Sequence, residues 1–231
     1  MEPLHHTLRD VLQAVENAAG RAGRPETVTL LAVSKTRHPD EVRALAAAGQ
    51  RAFGENYVQE AVGKRRALAD LGLQWHLIGH LQSNKAADAA ETFDWVQTVD
   101  RPRIVAALDR ARPDSMPPLN VLVQVNVDGE RGKSGCAPGD VDALAAAVAA
   151  APRLRLRGLM AIPEPHADPE RRRPAFRKLK ALFDRVAAAH PGADTLSIGM
   201  SDDFAQAIAE GATMVRIGTA LFGPRLPRPA G

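Results

Sequence analysis

The sequence predicts a single closed (β/α)8 barrel, a TIM-type α/β fold, with one extra helix at its N-terminus. Three observations lead there. Short apolar runs alternate with helix-period segments eight times along the chain. A length of 231 residues suits one large α/β barrel. No shift in composition marks a second domain, so residues 1–231 are read as one unit, with about 224–231 (Pro224-Arg225-Leu226-Pro227 onward) as a disordered tail. A doubly wound open sheet is the competing architecture. Eight units are many for it, and no G-x-G-x-x-G follows the first strand.

The elements follow in order. Leu4, Leu8, Val11, Leu12, Val15 and Ala18 recur at helical spacing, and Gly20, Gly23 and Pro25 end that helix. Val28–Lys35 is the first strand, the core of the stretch from Thr27 to Thr36. A helix over Pro39–Ala48 follows, stopped by Gly49. Arg51–Asn56 is strand 2, with a helix from Tyr57 to Leu71; Gln74–Gly79 is strand 3, with a helix from Asn84 to Glu91. Trp95–Val99 is strand 4, and Asp100 and Pro102 open its helix. Asn120–Val127 is strand 5, followed by a Gly-rich loop and a helix over Val141–Ala150. Leu154–Ile162 is strand 6, with a Pro-rich loop and a helix over Pro174–Ala189. Thr195–Gly199 is strand 7, Asp202–Glu210 a helix and Met214–Gly218 strand 8.

Composition removes several functional classes. Aromatics are 4% of residues, too few for the stacking platforms of single-strand nucleic-acid binders, and the net charge of +3 is spread among interspersed acids and bases. Arg171-Arg172-Arg173 reads as solvated surface. No apolar run reaches membrane-spanning length, and the N-terminus lacks a basic start followed by an apolar core. The lone Cys136 offers neither an intrachain disulfide nor a metal-ligand spacing, and His5-His6 has no completing ligands. The expectation is a cytoplasmic protein with no nucleic-acid, membrane or metal partner.

A barrel gathers the carboxyl ends of its strands on one face. That face receives Lys35 from strand 1, Glu55 and Asn56 from strand 2, and His76 and His80 around strand 3. Asn126, Met160, Ser197, Ser201, Arg216, Gly218 and Thr219 come from strands 5 to 8. Taken alone, Lys35 is equally well a rim cation or a reactive amine. Two distant segments bear on the choice. Met200-Ser201-Asp202-Asp203 and Arg216-Ile217-Gly218-Thr219 follow strands 7 and 8, where such barrels bind phosphate with hydroxyls and backbone N–H groups, and Gly218 permits close approach. Taken separately, Ser201 reads rather as a plain N-cap and Gly218 as a plain turn; as a pair in this location they read as a phosphate site.

A reactive lysine facing a phosphate site points to pyridoxal 5′-phosphate (PLP), whose aldehyde condenses with an ε-amine to a Schiff base. Arg216 is placed to face the pyridine nitrogen. A donor there leaves that nitrogen unprotonated and weakens the ring as an electron sink, which disfavours carbanion chemistry.

With these residues in place the chain resembles the pyridoxal-phosphate homeostasis protein family, over almost its whole length. The resemblance is carried by Ala32-Val33-Ser34-Lys35-Thr36, Phe53-Gly54-Glu55-Asn56-Tyr57, and Trp75-His76-Leu77-Ile78-Gly79-His80-Leu81-Gln82-Ser83-Asn84-Lys85. It continues through Val125-Asn126-Val127 with Lys133-Ser134-Gly135, Gly158-Leu159-Met160-Ala161-Ile162-Pro163, Leu196-Ser197-Ile198-Gly199-Met200-Ser201-Asp202-Asp203 and Met214-Val215-Arg216-Ile217-Gly218-Thr219. It implies an alanine-racemase-type barrel with PLP bound covalently to Lys35, Arg216 at the ring nitrogen, and Ser201, Gly218 and Thr219 at the phosphate. It further implies Asn56 near the phenolic oxygen, with Met160 and Ile217 lining the pocket. His80 is given no role; Lys85 and Lys133 are either secondary amines for cofactor traffic or ordinary rim charges.

Two functions remain in view. One is a non-catalytic PLP carrier, a monomer supplying apo PLP-dependent enzymes. The other is an amino-acid racemase or decarboxylase of the same fold type. Racemases of that type take a catalytic tyrosine from a second, β-rich domain, whereas this sequence ends soon after strand 8 and has one tyrosine, Tyr57, after strand 2. The carrier is the preferred expectation. A phosphosugar-type barrel, using the phosphate site without an imine, is a third class.

Overall fold

The computed structural model describes residues 2–24, 28–130 and 132–223. The expected tail at 224–231, together with Pro25 and Thr27, lies outside these residues. The chain begins with α1 (Glu2–Arg21), then β1 (Thr29–Val33), α2 (Pro39–Ala47), β2 (Ala52–Glu55), α3 (Val58–Ala67), β3 (Gln74–Leu77) and α4 (Ala86–Thr92). There follow β4 (Trp95–Val99), α5 (Pro102–Ala111), β5 (Leu119–Gln124), α6 (Val141–Ala150), β6 (Leu154–Met160) and α7 (Arg173–Ala189). The chain closes with β7 (Thr195–Ser197), α8 (Phe204–Ala209), β8 (Met214–Ile217) and a short α9 (Thr219–Phe222). The strands close into a barrel in sequence order, each parallel to its neighbour. The seam is β8 on β1, where Leu31 pairs with Arg216 and Ala32 with Ile217.

Local chemistry explains most boundaries. α2 starts with Pro at its first position and a capping box, in which His38 accepts from Asp40 N–H while Glu41 accepts from His38 N–H. β4 and α6 fall where the sequence places them. Other strands are shorter than expected. β7 stops at Ser197 because Gly199 turns the chain with φ +91°, and a Cβ there would lie 2.5 Å from that of Ala207. β5 stops at Gln124; Val125 continues only as a bridge to Cys136, whose N–H and C=O bond Gln124 and Asn126 and fold the Gly-rich loop back onto the strand end. α3 ends at Ala67, and the expected continuation to Leu71 is a 3-10 turn closed by left-handed Gly72. α9 was not anticipated from the sequence.

The main core lies between sheet and helices. Val42 and Leu45 of α2, Ile104 and Leu108 of α5, and Phe176 and Leu179 of α7 are fully covered against outward-facing strand residues such as Phe53, Val121 and Val215. Each such side chain contributes about 1.5–3 kcal/mol on burial. α1 packs across the seam against α8, α9 and α2, burying Leu8, Val15 and Ala18. Inside the barrel, apolar groups form two small clusters: Leu31, Ala52 and Met214 with Ile78, and Trp95, Leu122 and Met160. The remaining interior positions include polar ones, namely His76, Gln97, Ser197 and Arg216.

Candidate functional site

A cavity of about 300 Å³ opens at the carboxyl ends of the strands beside the β1–β8 seam. Val33, Lys35, Arg37, Met200, Ser201, Asp202, Arg216, Gly218 and Thr219 line it. Five residues singled out from sequence, Lys35, Ser201, Arg216, Gly218 and Thr219, therefore meet in one place. A Cβ on Gly218 would sit 3.3 Å from both Cβ and the carbonyl oxygen of Val33, so a side chain here would crowd the seam.

The structure does not bring Asn56, Met160 or Ile217 onto this lining. Ile217 follows the inward-facing Arg216, so strand alternation turns it outward into the main core, where it is fully buried. Met160 packs inside the barrel on Trp95 and Leu122. Asn56 is half-buried after β2, with its main chain against Gly79, where a Cβ would come within 2.1 Å of the Asn56 carbonyl oxygen. His80 meets Ser134 at 3.0 Å, and Lys133 pairs with Glu130; neither lines the cavity, nor does Lys85.

The segment carrying Lys35 is held by Glu55, which the sequence places on this face, and by Glu60 and Lys64, which it does not single out. Ser34 Oγ donates to Glu55 Oε1 at 2.5 Å, and the Ser34 carbonyl accepts from Lys64 Nζ at 2.6 Å. Thr36 has φ +65°, a left-handed conformation costing a β-branched residue about 1–3 kcal/mol. Its N–H donates to Glu60 Oε1 at 2.6 Å, and Lys64 Nζ joins Glu60 and Glu55 at 2.6 and 2.8 Å. Burial pushes the Glu55 carboxyl above its ordinary value, against the pull of Lys64. The outcome is a rigid platform under a half-buried lysine.

The opposite wall is fixed by a second buried ion pair. Arg172 Nη1 lies 2.6 Å from Asp203 Oδ2, with the two side chains 8% and 4% exposed, and Asp203 Oδ1 accepts the Met200 N–H at 2.6 Å. This corrects the reading of Arg171-Arg172-Arg173 as solvated surface: Arg172 turns inward to neutralise a carboxylate 31 residues away. It also corrects Ser201 as an N-cap. Asp203 occupies the N-cap position of α8, its carboxylate engaged by Met200 N–H and Arg172, while Ser201 lines the cavity. Arg37, unselected in the sequence, donates to the Gly223 carbonyl, lies 5.3 Å over the Phe222 ring and adds a cation to the lining.

Arg216 is the floor. Only 3% exposed, it donates through Nη1 to the Ser197 carbonyl and hydroxyl at 2.7 and 2.9 Å and through Nη2 to the Ala161 carbonyl at 2.9 Å. Desolvation lowers its pKa to about 10, leaving it cationic at neutral pH. Among the described residues there is no cluster of three metal-type ligands and no helix long and apolar enough to cross a membrane.

An amine just past the first strand, a buried guanidinium on the last, and two hydroxyls just past β7 and β8 define a class of parallel barrels that gather these groups at one cavity. The sequence pattern of the family described as "Alanine racemase, N-terminal domain" matches residues 8–226. The chain is 55% identical over 226 residues to the pyridoxal phosphate homeostasis protein of Pseudomonas aeruginosa, covering 97% of each. It is 52% identical to the protein of that name from Escherichia coli K12, covering 97% of this chain and 98% of that one. The solved structure of PipY from Synechococcus elongatus with PLP bound superposes with a TM-score of 0.82 at 35% identity, over 95% of this chain and all of that one. The chain belongs to the alanine racemase N-terminal domain family and, within it, to the pyridoxal phosphate homeostasis proteins.

Proposed function

We propose that this chain is a single-domain, monomeric PLP-binding protein of the cytoplasm that holds the cofactor as a Schiff base on Lys35 and serves intracellular vitamin B6 homeostasis without catalysing turnover. The carrying observation is the convergence of Lys35, Arg216, Ser201, Gly218 and Thr219 on one cavity. The donor set fits the group. The amine meets an aldehyde, the Ser201 and Thr219 hydroxyls and the space left by Gly218 take a phosphate, and Arg216 offers N–H to a ring nitrogen. PLP supplies an electrophilic aldehyde; the protein's residues anchor, orient and release it. The PLP-bound PipY supports the choice of ligand, and the shared name of the bacterial relatives supports the role.

Arg216 favours holding over chemistry. As an obligate donor it keeps a pyridine nitrogen unprotonated, the opposite of what a carbanion sink requires. The single tyrosine, Tyr57, is 62% exposed and off the cavity lining, so it is not set as a second base facing Lys35. Apo PLP-dependent enzymes are the proposed recipients.

The experiment is spectroscopic. Added PLP is expected to give a visible absorption band that borohydride fixes, with the label recovered on the peptide containing Lys35. Replacing Ser201 and Thr219 together by Ala is expected to weaken retention without unfolding the barrel. A protein that acquires no band defeats the proposal. Sustained change in the chirality of added amino acids would defeat its non-catalytic part.

A further inference from the structure

Beneath the cavity, the barrel interior carries a hydrogen-bond chain whose direction is fixed link by link. Arg216 can only donate, so Ser197 Oγ accepts from Nη1 and must send its own hydrogen elsewhere. That hydrogen goes to Gln97 Oε1, 2.7 Å away. The Gln97 amide is thereby oriented, and its Nε2 faces His76 Nδ1 at 2.9 Å and Met214 Sδ at 3.2 Å. His76 Nδ1 therefore accepts, the imidazole proton sits on Nε2, and Nε2 donates to Gln74 Oε1 at 3.0 Å. Gln74 is exposed at the amino end of β3, so the chain crosses the barrel from cavity floor to solvent. His76 is fully buried, stacked 5.1 Å from Trp95, and desolvation pushes its pKa down to about 3; the neutral tautomer that the chain requires persists at neutral pH.

These positions need not be polar for the fold. The neighbouring interior cluster of Trp95, Leu122 and Met160 shows that the barrel interior also accepts apolar groups. Burying Gln97, Ser197 and His76 is tolerated because each satisfies the next, and the row has meaning through the arginine at its head. Ser197 Oγ is the side-chain acceptor of the guanidinium; the other two are main-chain carbonyls at the ends of β6 and β7. Without Gln97, the hydroxyl is free to rotate and present its hydrogen toward Arg216.

We propose that Gln97 is a positioning residue: acting through Ser197, it holds Arg216 as a fixed donor into the cavity and makes the site selective for ligands that present a ring-nitrogen acceptor. This rests on the proposed PLP reading of the cavity. The probes are PLP and its 1-deaza analogue, in which C–H replaces the ring nitrogen while aldehyde and phosphate remain. Wild-type protein is expected to prefer PLP by about tenfold or more, the order of one charge-assisted hydrogen bond. Gln97→Met, close in volume, and Ser197→Ala, the smaller perturbation should the first not fold, are each expected to weaken PLP about five- to tenfold while leaving the deaza analogue unchanged. A purely structural role would weaken both ligands equally. That result, or a wild type with no preference, overturns the inference; a wild type that binds neither ligand overturns the PLP reading itself.

Discussion

Lys64 Nζ lies 2.8 Å from Glu55 Oε1, two charged side chains that are 4% and 0% exposed, directly behind the strand end that carries Lys35. The pair ties α3 to β2, and through the Ser34 carbonyl and Glu60 it ties both to the Lys35 segment. Lys64→Met strands a carboxylate in the interior, and its expected cost is about 3–5 kcal/mol. Urea unfolding is expected to show a lower midpoint with an unchanged m-value. Adding Glu55→Gln is expected to recover much of the loss, since a neutral pair leaves no buried charge; a double variant as unstable as the single one would refute this account.

The Arg172–Asp203 pair acts on the other wall. Asp203→Ala removes the acceptor for Met200 N–H and leaves a buried guanidinium without its carboxylate. The expected result is faster PLP loss, because Ser201 sits between these two positions, with a stability cost of about 3 kcal/mol or more. Dialysis followed by visible absorbance checks the first part, chemical unfolding the second.

His76 sets an acid limit. Its pKa is depressed to about 3 in the fold from an ordinary 6.5, so the unfolded chain binds the extra proton first as pH falls. Its stabilising contribution is complete above about pH 6.5 and is lost progressively as pH falls toward 3. Between pH 7 and 5 the loss is on the order of 2 kcal/mol. His76→Asn keeps an acceptor for Gln97 and does not titrate, so the wild-type minus variant difference in unfolding free energy is expected to shrink by that amount over this range. A difference that does not change with pH would contradict the buried neutral assignment.

Cys136 is expected to react slowly in the fold. It is 8% exposed, and burial, with Asp140 nearby, pushes its thiol up to about 11. At pH 8 iodoacetamide is expected to modify the folded protein far more slowly than the protein in denaturant, where the thiol regains an ordinary pKa near 8.5. Mass spectrometry of the intact chain reads this directly.

The parts of the fold and site that were legible in the sequence are those written in local pattern. Trp95–Val99 and Val141–Ala150 are bounded by Asp, Pro and turn residues, and both fall at the expected limits. Lys35, Ser201, Arg216, Gly218 and Thr219 could be gathered because barrel topology alone brings their strand ends together. What stayed hidden depends on side-chain direction and long-range pairing. Ile217 follows Arg216 and so faces the helices, a parity that register alone decides. Arg172 looked like surface because nothing local announces Asp203 as its partner. Gln97 did leave a trace, a lone amide in the otherwise compact run Trp95-Val96-Gln97-Thr98-Val99, but only ring closure shows it beside Ser197 from the far side of the barrel.

The seam between β1 and β8 has a consequence for how the protein comes into being. Lys35 follows the first strand of the barrel and Gly218 and Thr219 follow the last, and Leu31 meets Arg216 across the β1–β8 pairing. The binding pocket therefore exists only once the ring is shut, the most non-local and slowest kind of contact to form. A ligand that bridges the two edges stabilises the shut ring by mass action. The seam is thus the place where occupancy of the cavity and closure of the ring would be linked.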